Sequence, residues 1–381
     1  MDALTTPLPK DWEIKTFRDI STINQGLQIP ISQRLKAPTE HAKFYITIQA
    51  LNNRKEFEYI KTYNESVVCH KDDILMTRTG NTGMVITNIE GVFHNNFFKI
   101  NFDRTLINKD FLVYFLSLEQ TQKTILKKAG TSTIPDLNHN DFYSLSIPLP
   151  PLNEQIAIAD ILSDLDRYLY SLRALILKKE SVKKALSFEL LSQRKRLKGF
   201  NQAWQRVRLG DIAEIKRGVR ITKNELDVFG KYPVVSGGVG FLGYTNNFNR
   251  YENTITIAQY GTAGFVNWQN QKFWANDVCF CVYPNKDVIK NIFLYYFLKA
   301  NQNYLYEISN RNATPYSISK DKILDFEIFL PPLNEQIAIA DILSALDNEI
   351  TSLKNKKRQF DNIKKALNHD LMSAKIRVLK K

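Results

Sequence analysis

The chain has 381 residues, of which 44% are hydrophobic and 12% aromatic; that leaves room for two or three domains with real cores and excludes a disordered chain. Its longest apolar runs, FLVYFLSL at 111–118 and IFLYYFL at 292–298, are far shorter than the roughly 20 residues that span a bilayer. The opening MDALTTPLPKDWE has no secretory segment, so a cytoplasmic protein without membrane contact is expected, and the formal charge of +13 favours a polyanionic partner.

In chain order, Trp12 and Asp19-Ile20 open a first mixed α/β domain, expected over 1–149. Residues 74–78 and 84–87 read as strands around the turn TGNTG, and 111–128 reads as helix. The short β-like stretch LSIPLP closes the domain. Pro150-Pro151 then punctuates, and a helical segment is expected over 150–199, with Asn153 as N-cap, Glu154 in the first turn and Gly199 as the stop. Its apolar seam is Leu162, Leu165, Leu169, Leu172, Ile176, Leu186 and Leu190, interrupted by Lys179 and Lys183. A second domain, 200–330, repeats the scheme with Trp204 and Asp211-Ile212, strands at 255–259 and 265–268 around YGTAG, helix at 292–306 and the closing FEIFLP. A second helical segment, 331–381, follows, with Asn334 in the N-cap place and a seam of Leu343, Leu346, Ile350, Leu353, Phe360, Leu367, Leu371 and Val378, interrupted by Lys357 and Lys364.

The two halves are a duplication. PPLNEQIAIADILS occurs at 150–163 and, letter for letter, at 331–344. The offset of 181 also relates Lys183-Lys184-Ala185-Leu186 to Lys364-Lys365-Ala366-Leu367, Gly80 and Gly83 to Gly261 and Gly264, and Asn95 to Asn276. Nearer each start the offset is 192, as for Trp12 and Trp204, so the first copy carries about eleven extra residues between Gly26 and Gly80. A period this long means tandem duplication of a domain plus a helix. The basic charge sits in the helices: 167–198 carries a net +8 and 348–381 a net +7, which leaves the rest slightly acidic. Each helix starts acidic and ends basic, which suits its dipole and antiparallel pairing of the two helices. The expected fold is α+β: two α/β domains separated by two long helices in an antiparallel coiled coil, with pseudo-twofold internal symmetry.

No catalytic constellation stands out. Neither TGNTG nor YGTAG is followed by Lys-Ser/Thr, so there is no phosphate-binding P-loop, and tight turns needing glycine are expected instead. No methyltransferase tetrapeptide is present, the five histidines are scattered, and Cys69, Cys279 and Cys281 form neither a disulfide framework nor a zinc site. Cys279 and Cys281 read as two residues on one face of a strand. Nucleic-acid-reading residue types are plentiful, since Arg, Asn and Gln can contact base edges and Lys and Arg can contact phosphates. In the first domain these are Arg34, Lys36, Arg78, Asn81 and Asn138. In the second they are Lys216, Arg217, Arg220, Lys223, Asn246, Asn247, Arg311 and Asn312.

The doubled LPPLNEQIAIADIL, each copy leading into a long helix and preceded by an α/β domain opening with W-x6-D-I, resembles the specificity (S) subunit of Type I restriction–modification systems over the whole chain. The resemblance implies two target-recognition domains, each reading one half of a bipartite, asymmetric site on double-stranded DNA. It implies helices that set the spacing and dock two methyltransferase subunits, with motor-nuclease subunits in the full complex. It implies no catalysis, metal or cofactor in this chain; the methyl donor and nucleotide belong to the partner subunits. Asn153, Glu154, Gln155 and Ile156, with Asn334, Glu335, Gln336 and Ile337, would lie at the methyltransferase interface. A specificity module of a related two-subunit restriction enzyme and a protein-binding coiled-coil scaffold stay open beside it.

Overall fold

The structure, a computed structural model, describes residues 8–52, 57–312 and 314–379. The stretch 1–7, read above as lacking a secretory segment, and the last two lysines of the basic tail lie outside the described residues. The chain divides into two compact units: Met1–Leu172 with Lys356–Lys381, and Arg173–Asn355.

In the first unit, strands Ser21–Gln25, Phe97–Phe102, Ile74–Thr77 and Val85–Ile86 form an antiparallel sheet in that order. A second sheet is built from Tyr59–Ile60, Lys43–Ile46, Gly91–Phe93 and Val68–Cys69. The period-2 alternation of a strand explains the near-continuous apolar run at 74–76. Ile74 and Met76 enter a core with Phe17, Phe98, Phe111 and Phe142, while Leu75 enters a separate core with Tyr45, Phe93 and Phe97. Strand Glu13–Thr16 pairs antiparallel with Ser146–Leu149, so the strand that opens the domain is tied to the one that feeds the long helix.

The second unit repeats this plan. Ala213–Arg217, Cys279–Pro284, Thr254–Ala258 and Val266–Gln269 form one sheet, Gly243–Thr245, Tyr232–Val235 and Trp274–Ala275 a second, and Gln205–Arg208 pairs with Glu327–Leu330. Cys279 and Cys281 share one strand face in a small core with Val235, Phe273 and Ala275, while Phe280 and Val282 point into the main core. The helices expected at 111–128 and 292–306 are each two helices, Lys109–Leu116 with Glu119–Ala129 and Asn291–Ala300 with Gln302–Glu307. At the first break Gln122 donates to Leu116 O and Gly83 O, which ends one helix and ties it to the TGNTG turn. Gly80, Gly83, Gly261 and Gly264 all have φ between 77° and 90°, so both Gly-containing turns are the tight turns expected of them.

The long helices are Leu152–Leu191 and Leu333–Met372. Each unit holds the start of one and the end of the other, and within each unit the two segments run antiparallel. In the first unit Asp166 pairs with Lys364, and Tyr168 lies 4.7 Å from Phe360 between ring centroids. In the second, Asp347 pairs with Lys183, Glu349 with Lys179 and Glu180 with Lys354. Three of the lysines that break the apolar seam, Lys179, Lys183 and Lys364, are therefore partners of acidic residues on the other helix, while Lys357 pairs with Asp361 one turn along its own. Two boundaries differ from expectation. Both helices begin one residue before the asparagine, because Pro151 O and Pro332 O accept the first helical bonds, from Gln155 N and Gln336 N; the N-caps are Pro151 and Pro332. The first helix also ends at Leu191, not near Gly199. Gln193 (φ 61°) and its counterpart Ala374 (φ 55°) take the left-handed conformation, and Lys195 N and Ile376 N reach back to Glu189 O and Asp370 O. That six-residue back-bond closes a helix end without glycine.

Candidate nucleic-acid interface and the repeated helix anchors

The repeated Asn-Glu-Gln-Ile turn splits into an inner and an outer face. Gln155 is 1% exposed: its Nε2 donates to Leu106 O (3.0 Å) and Pro150 O (2.9 Å), and its Oε1 accepts from Asn108 N (2.9 Å). Gln336 does the same with Val288 O, Pro331 O and Lys290 N. Each carboxamide thus satisfies three backbone groups at the joint between domain and helix, which no apolar residue could do.

The neighbouring glutamates are equally committed. Glu154, 2% exposed, accepts from Trp12 Nε1 (3.1 Å) and from Arg377 Nε (2.6 Å) and Nη2 (2.8 Å). Glu335, 1% exposed, accepts from Trp204 Nε1 (2.9 Å) and from Arg196 Nε (2.9 Å) and Nη2 (2.7 Å). Planar two-point pairs of this kind stabilise a buried carboxylate only when its hydrogen bonds are complete. One difference separates the copies: Arg377 also bonds Asp11, where the second copy has Ala203. Hydrogen bonds to Glu154 and Asp11 hold the Arg377 guanidinium above its already high ordinary range. Each anchor thus binds the end of one long helix to the start of the other. A second reciprocal set lies farther along: the Tyr114 and Tyr296 hydroxyls donate to Asp166 and Asp347, and Lys364 and Lys183 lie over those tyrosine rings. Burial and then Asp166 push the Tyr114 hydroxyl well above its usual range. The sequence marks Trp12 and Trp204 as domain openings but gives the two arginines no role. Their signal was present, since Arg196 and Arg377 keep the offset of 181 and Trp12 and Trp204 that of 192.

The side chains of Glu154, Gln155, Glu335 and Gln336, expected to face a partner, therefore point inward in this chain because buried donors and backbone groups hold them. The outer face of the same turn is Asn153, Ile156 and Asp160, repeated as Asn334, Ile337 and Asp341, all exposed.

The candidate base-reading residues also divide. Arg34 donates to Ile29 O and Glu58, and Glu58 also holds Lys36, whose side chain is otherwise exposed. Although burial pushes the Glu58 carboxyl up, Lys36 and Arg34 together hold it below the ordinary range. Arg78 is half-buried, its guanidinium over the Phe98 ring and paired with Asp136, and Asn138 caps the short helix His139–Tyr143. Asn246 donates to Asp227, and Arg311 stacks between Tyr306 and Tyr316 while donating to Tyr306 O. Lys216 pairs with Glu214 at the surface, and Arg217 donates to Asp277 O. Asn81, Arg220, Lys223, Asn247 and Asn312 are exposed. Lys216, Arg217, Arg220 and Lys223 lie on one stretch that leaves strand Ala213–Arg217 and enters the short 3-10 turn Lys223–Glu225.

Among the described residues no group of His, Cys, Asp and Glu is placed to hold a metal, and no helix is long and apolar enough to cross a membrane. Cys69, Cys279 and Cys281 are free and buried, and burial pushes the Cys69 thiol up to about 12.

The sequence profile of the Type I restriction modification DNA specificity domain matches residues 9–180 and 201–360. The specificity subunit of the Type I restriction enzyme MjaVIII of Methanocaldococcus jannaschii is 25% identical over 408 residues, covering 97% of this chain and 94% of its own. A crystal structure of the S subunit of a Type-I restriction-modification system from M. genitalium shares the fold, with a TM-score of 0.70, 20% identity, and 97% and 99% of the two chains covered. A chain from a structural study of assembly and conformational transition in the type I R-M system shares it with a TM-score of 0.58 at 18% identity, covering 96% of this chain and 99% of its own.

Proposed function

The chain belongs to the family of Type I restriction–modification DNA specificity domains, and on that premise we propose that it is the sequence-specificity subunit of such a complex. Residues 1–149 and 200–330 are its target-recognition domains, each reading one half of a bipartite site on double-stranded DNA. Residues 150–199 and 331–381 are the helical spacers, which set the distance between half-sites and dock two methyltransferase subunits. Motor-nuclease subunits join the full complex. The chain itself is non-catalytic and carries no cofactor; the methyl donor and nucleotide are held by the partners, and the partner flips the target adenine out of the duplex.

The observation that carries the reading is the contrast between repeated helix starts and diverged domains. Two identical exposed faces, Asn153-Ile156-Asp160 and Asn334-Ile337-Asp341, fit two copies of one partner. Glu154, Gln155, Glu335 and Gln336 shape those faces from beneath. The domain loops differ, as two different half-sites require. Base contacts are assigned to exposed groups such as Asn81, Arg217, Arg220, Lys223, Asn247 and Asn312, with Lys36 and Lys216 near phosphates. Arg34, Arg78, Asn138, Asn246 and Arg311 shape the loops and reach DNA with the groups their internal bonds leave available.

A gel shift with purified methyltransferase subunits tests the proposal. Specific, salt-sensitive binding of duplex DNA is expected only when this chain is present. Equal binding without it would refute the assignment. Within the second domain, Arg217→Ala should relax one base position at a cost of ~1–3 kcal/mol, or weaken all sequences alike if it meets phosphate.

A further inference from the structure

We infer that the Val228-Phe229 tip of the second unit is an apolar wedge that enters the base stack of duplex DNA at the second half-site; this rests on the DNA-reading function proposed above. Val228 and Phe229 are 90% and 92% exposed, more than any other large hydrophobic side chain among the described residues. Scattered exposed apolar residues are ordinary, but this pair is held by a built turn. Asp227 N donates to Tyr244 O (2.8 Å), its Oδ1 accepts from Phe229 N (2.8 Å) and its Oδ2 from Asn246 Nδ2 (2.7 Å). Gly230 N closes the turn on Asp227 O (3.0 Å), and a Cβ at Gly230 would overlap the Thr245 amide. The backbone is thus fixed while two apolar side chains face water.

The surroundings identify the occupant. The tip borders an open cavity of about 560 Å³, also lined by Asn224, Asn246 and Asn247. Nearby in sequence, Arg217, Arg220, Lys223 and Lys231 form no ion pair with a described carboxylate. The two local carboxylates are spent on their own turns: Glu225 accepts from Thr222 N and Oγ1, and Asp227 from Phe229 N and Asn246. An apolar tip bordered by amides, on a segment whose cations no described carboxylate neutralises, has the composition of side chains that unstack a base step while their neighbours hold the groove. A protein-binding patch would instead be depleted in lysine.

The test uses the full complex with its methyltransferase subunits and a duplex carrying the sequence found methylated in the host. 2-Aminopurine replaces one base at a time through the second half-site. The expected result is a several-fold rise in fluorescence at one step on binding, lost in Phe229→Ala and kept in Phe229→Leu, with the thermal melt of both variants unchanged. The extruded target adenine should respond equally in all three proteins. If the wild-type complex binds and no step depends on Phe229, the wedge is refuted while the DNA reading stands. Protection of the tip from hydroxyl radicals by methyltransferase subunits alone, without DNA, would also refute it, by making the tip a protein contact. If the wild-type complex fails to bind the duplex, the proposed function itself falls, and the wedge with it.

Discussion

Gln336 offers the sharpest test of why the helix starts are identical. Its carboxamide donates to Val288 O (3.1 Å) and Pro331 O (2.8 Å) and accepts from Lys290 N (2.7 Å), with no exposed surface. Gln336→Ala leaves one N–H and two carbonyls without that partner. A buried group losing its partner costs ~1–3 kcal/mol, and the one buried methylene lost with the carboxamide contributes ~0.8 kcal/mol. Partial compensation by the carbonyls brings the total to about 3–5 kcal/mol. At ~2–4 °C per kcal/mol for a unit of this size, the second unit's transition should fall by on the order of 10 °C. Gln336→Glu keeps the size and the acceptor but aims a carboxylate at two carbonyl oxygens, so at pH 7 it should be worse than alanine. Ile337→Ala, one residue along and exposed, should stay within ~0.5 kcal/mol. Differential scanning calorimetry measures all three. A Gln336→Glu protein as stable as wild type, or losses of equal size at 336 and 337, would refute the inward anchor.

Arg196→Ala should cost ~3–5 kcal/mol because it strands Glu335, which keeps only Trp204; chemical denaturation of the second unit reads this. Arg377→Ala should cost the first unit more, because it strands Glu154 and also removes the ion pair with Asp11. For Glu58, whose carboxyl is held below its unfolded range, the stabilisation is present above the unfolded pKa and lost as pH falls through the folded one. Glu58→Gln should therefore be less stable than wild type at neutral pH, and the gap should close in acid; a gap that widens in acid contradicts the pairing with Arg34 and Lys36. Asn153→Asp with Ile156→Lys, which alters the outer face of the first helix start alone, should yield a complex with one methyltransferase subunit by native mass spectrometry, while the melt of the free chain stays unchanged.

Much of the fold was legible because its signals are local or repeated. The apolar seams, the Gly turns and the offset of 181 gave two α/β domains and two antiparallel helices. The acidic starts and basic ends also gave their direction of pairing. What the sequence hid are partners far apart along the chain. Glu154 meets Arg377 across 223 residues, and Glu335 meets Arg196 across 139, so an identical Glu-Gln looked like a surface for another protein. Repetition shows that a residue is constrained; it does not show which side of the helix constrains it. The helix end is hidden for a related reason: Gln193 and Ala374 adopt a conformation usually marked by glycine, whereas the glycine of the sequence lies farther on, at 199. Residue type alone marks a base-reading candidate in a sequence. Arg34 and Arg78 fit that chemistry as isolated side chains, but Glu58 and Asp136 hold them in the fold.

The central claim is that two independently reading domains give one bipartite specificity. Methylome sequencing of a host with this gene, without it, and with residues 200–330 replaced by the corresponding domain of another family member tests it directly. The expected result is a bipartite methylated motif that disappears with the gene and changes in one half only after the exchange. A motif that persists without the gene, or an exchange that alters both halves, would contradict it.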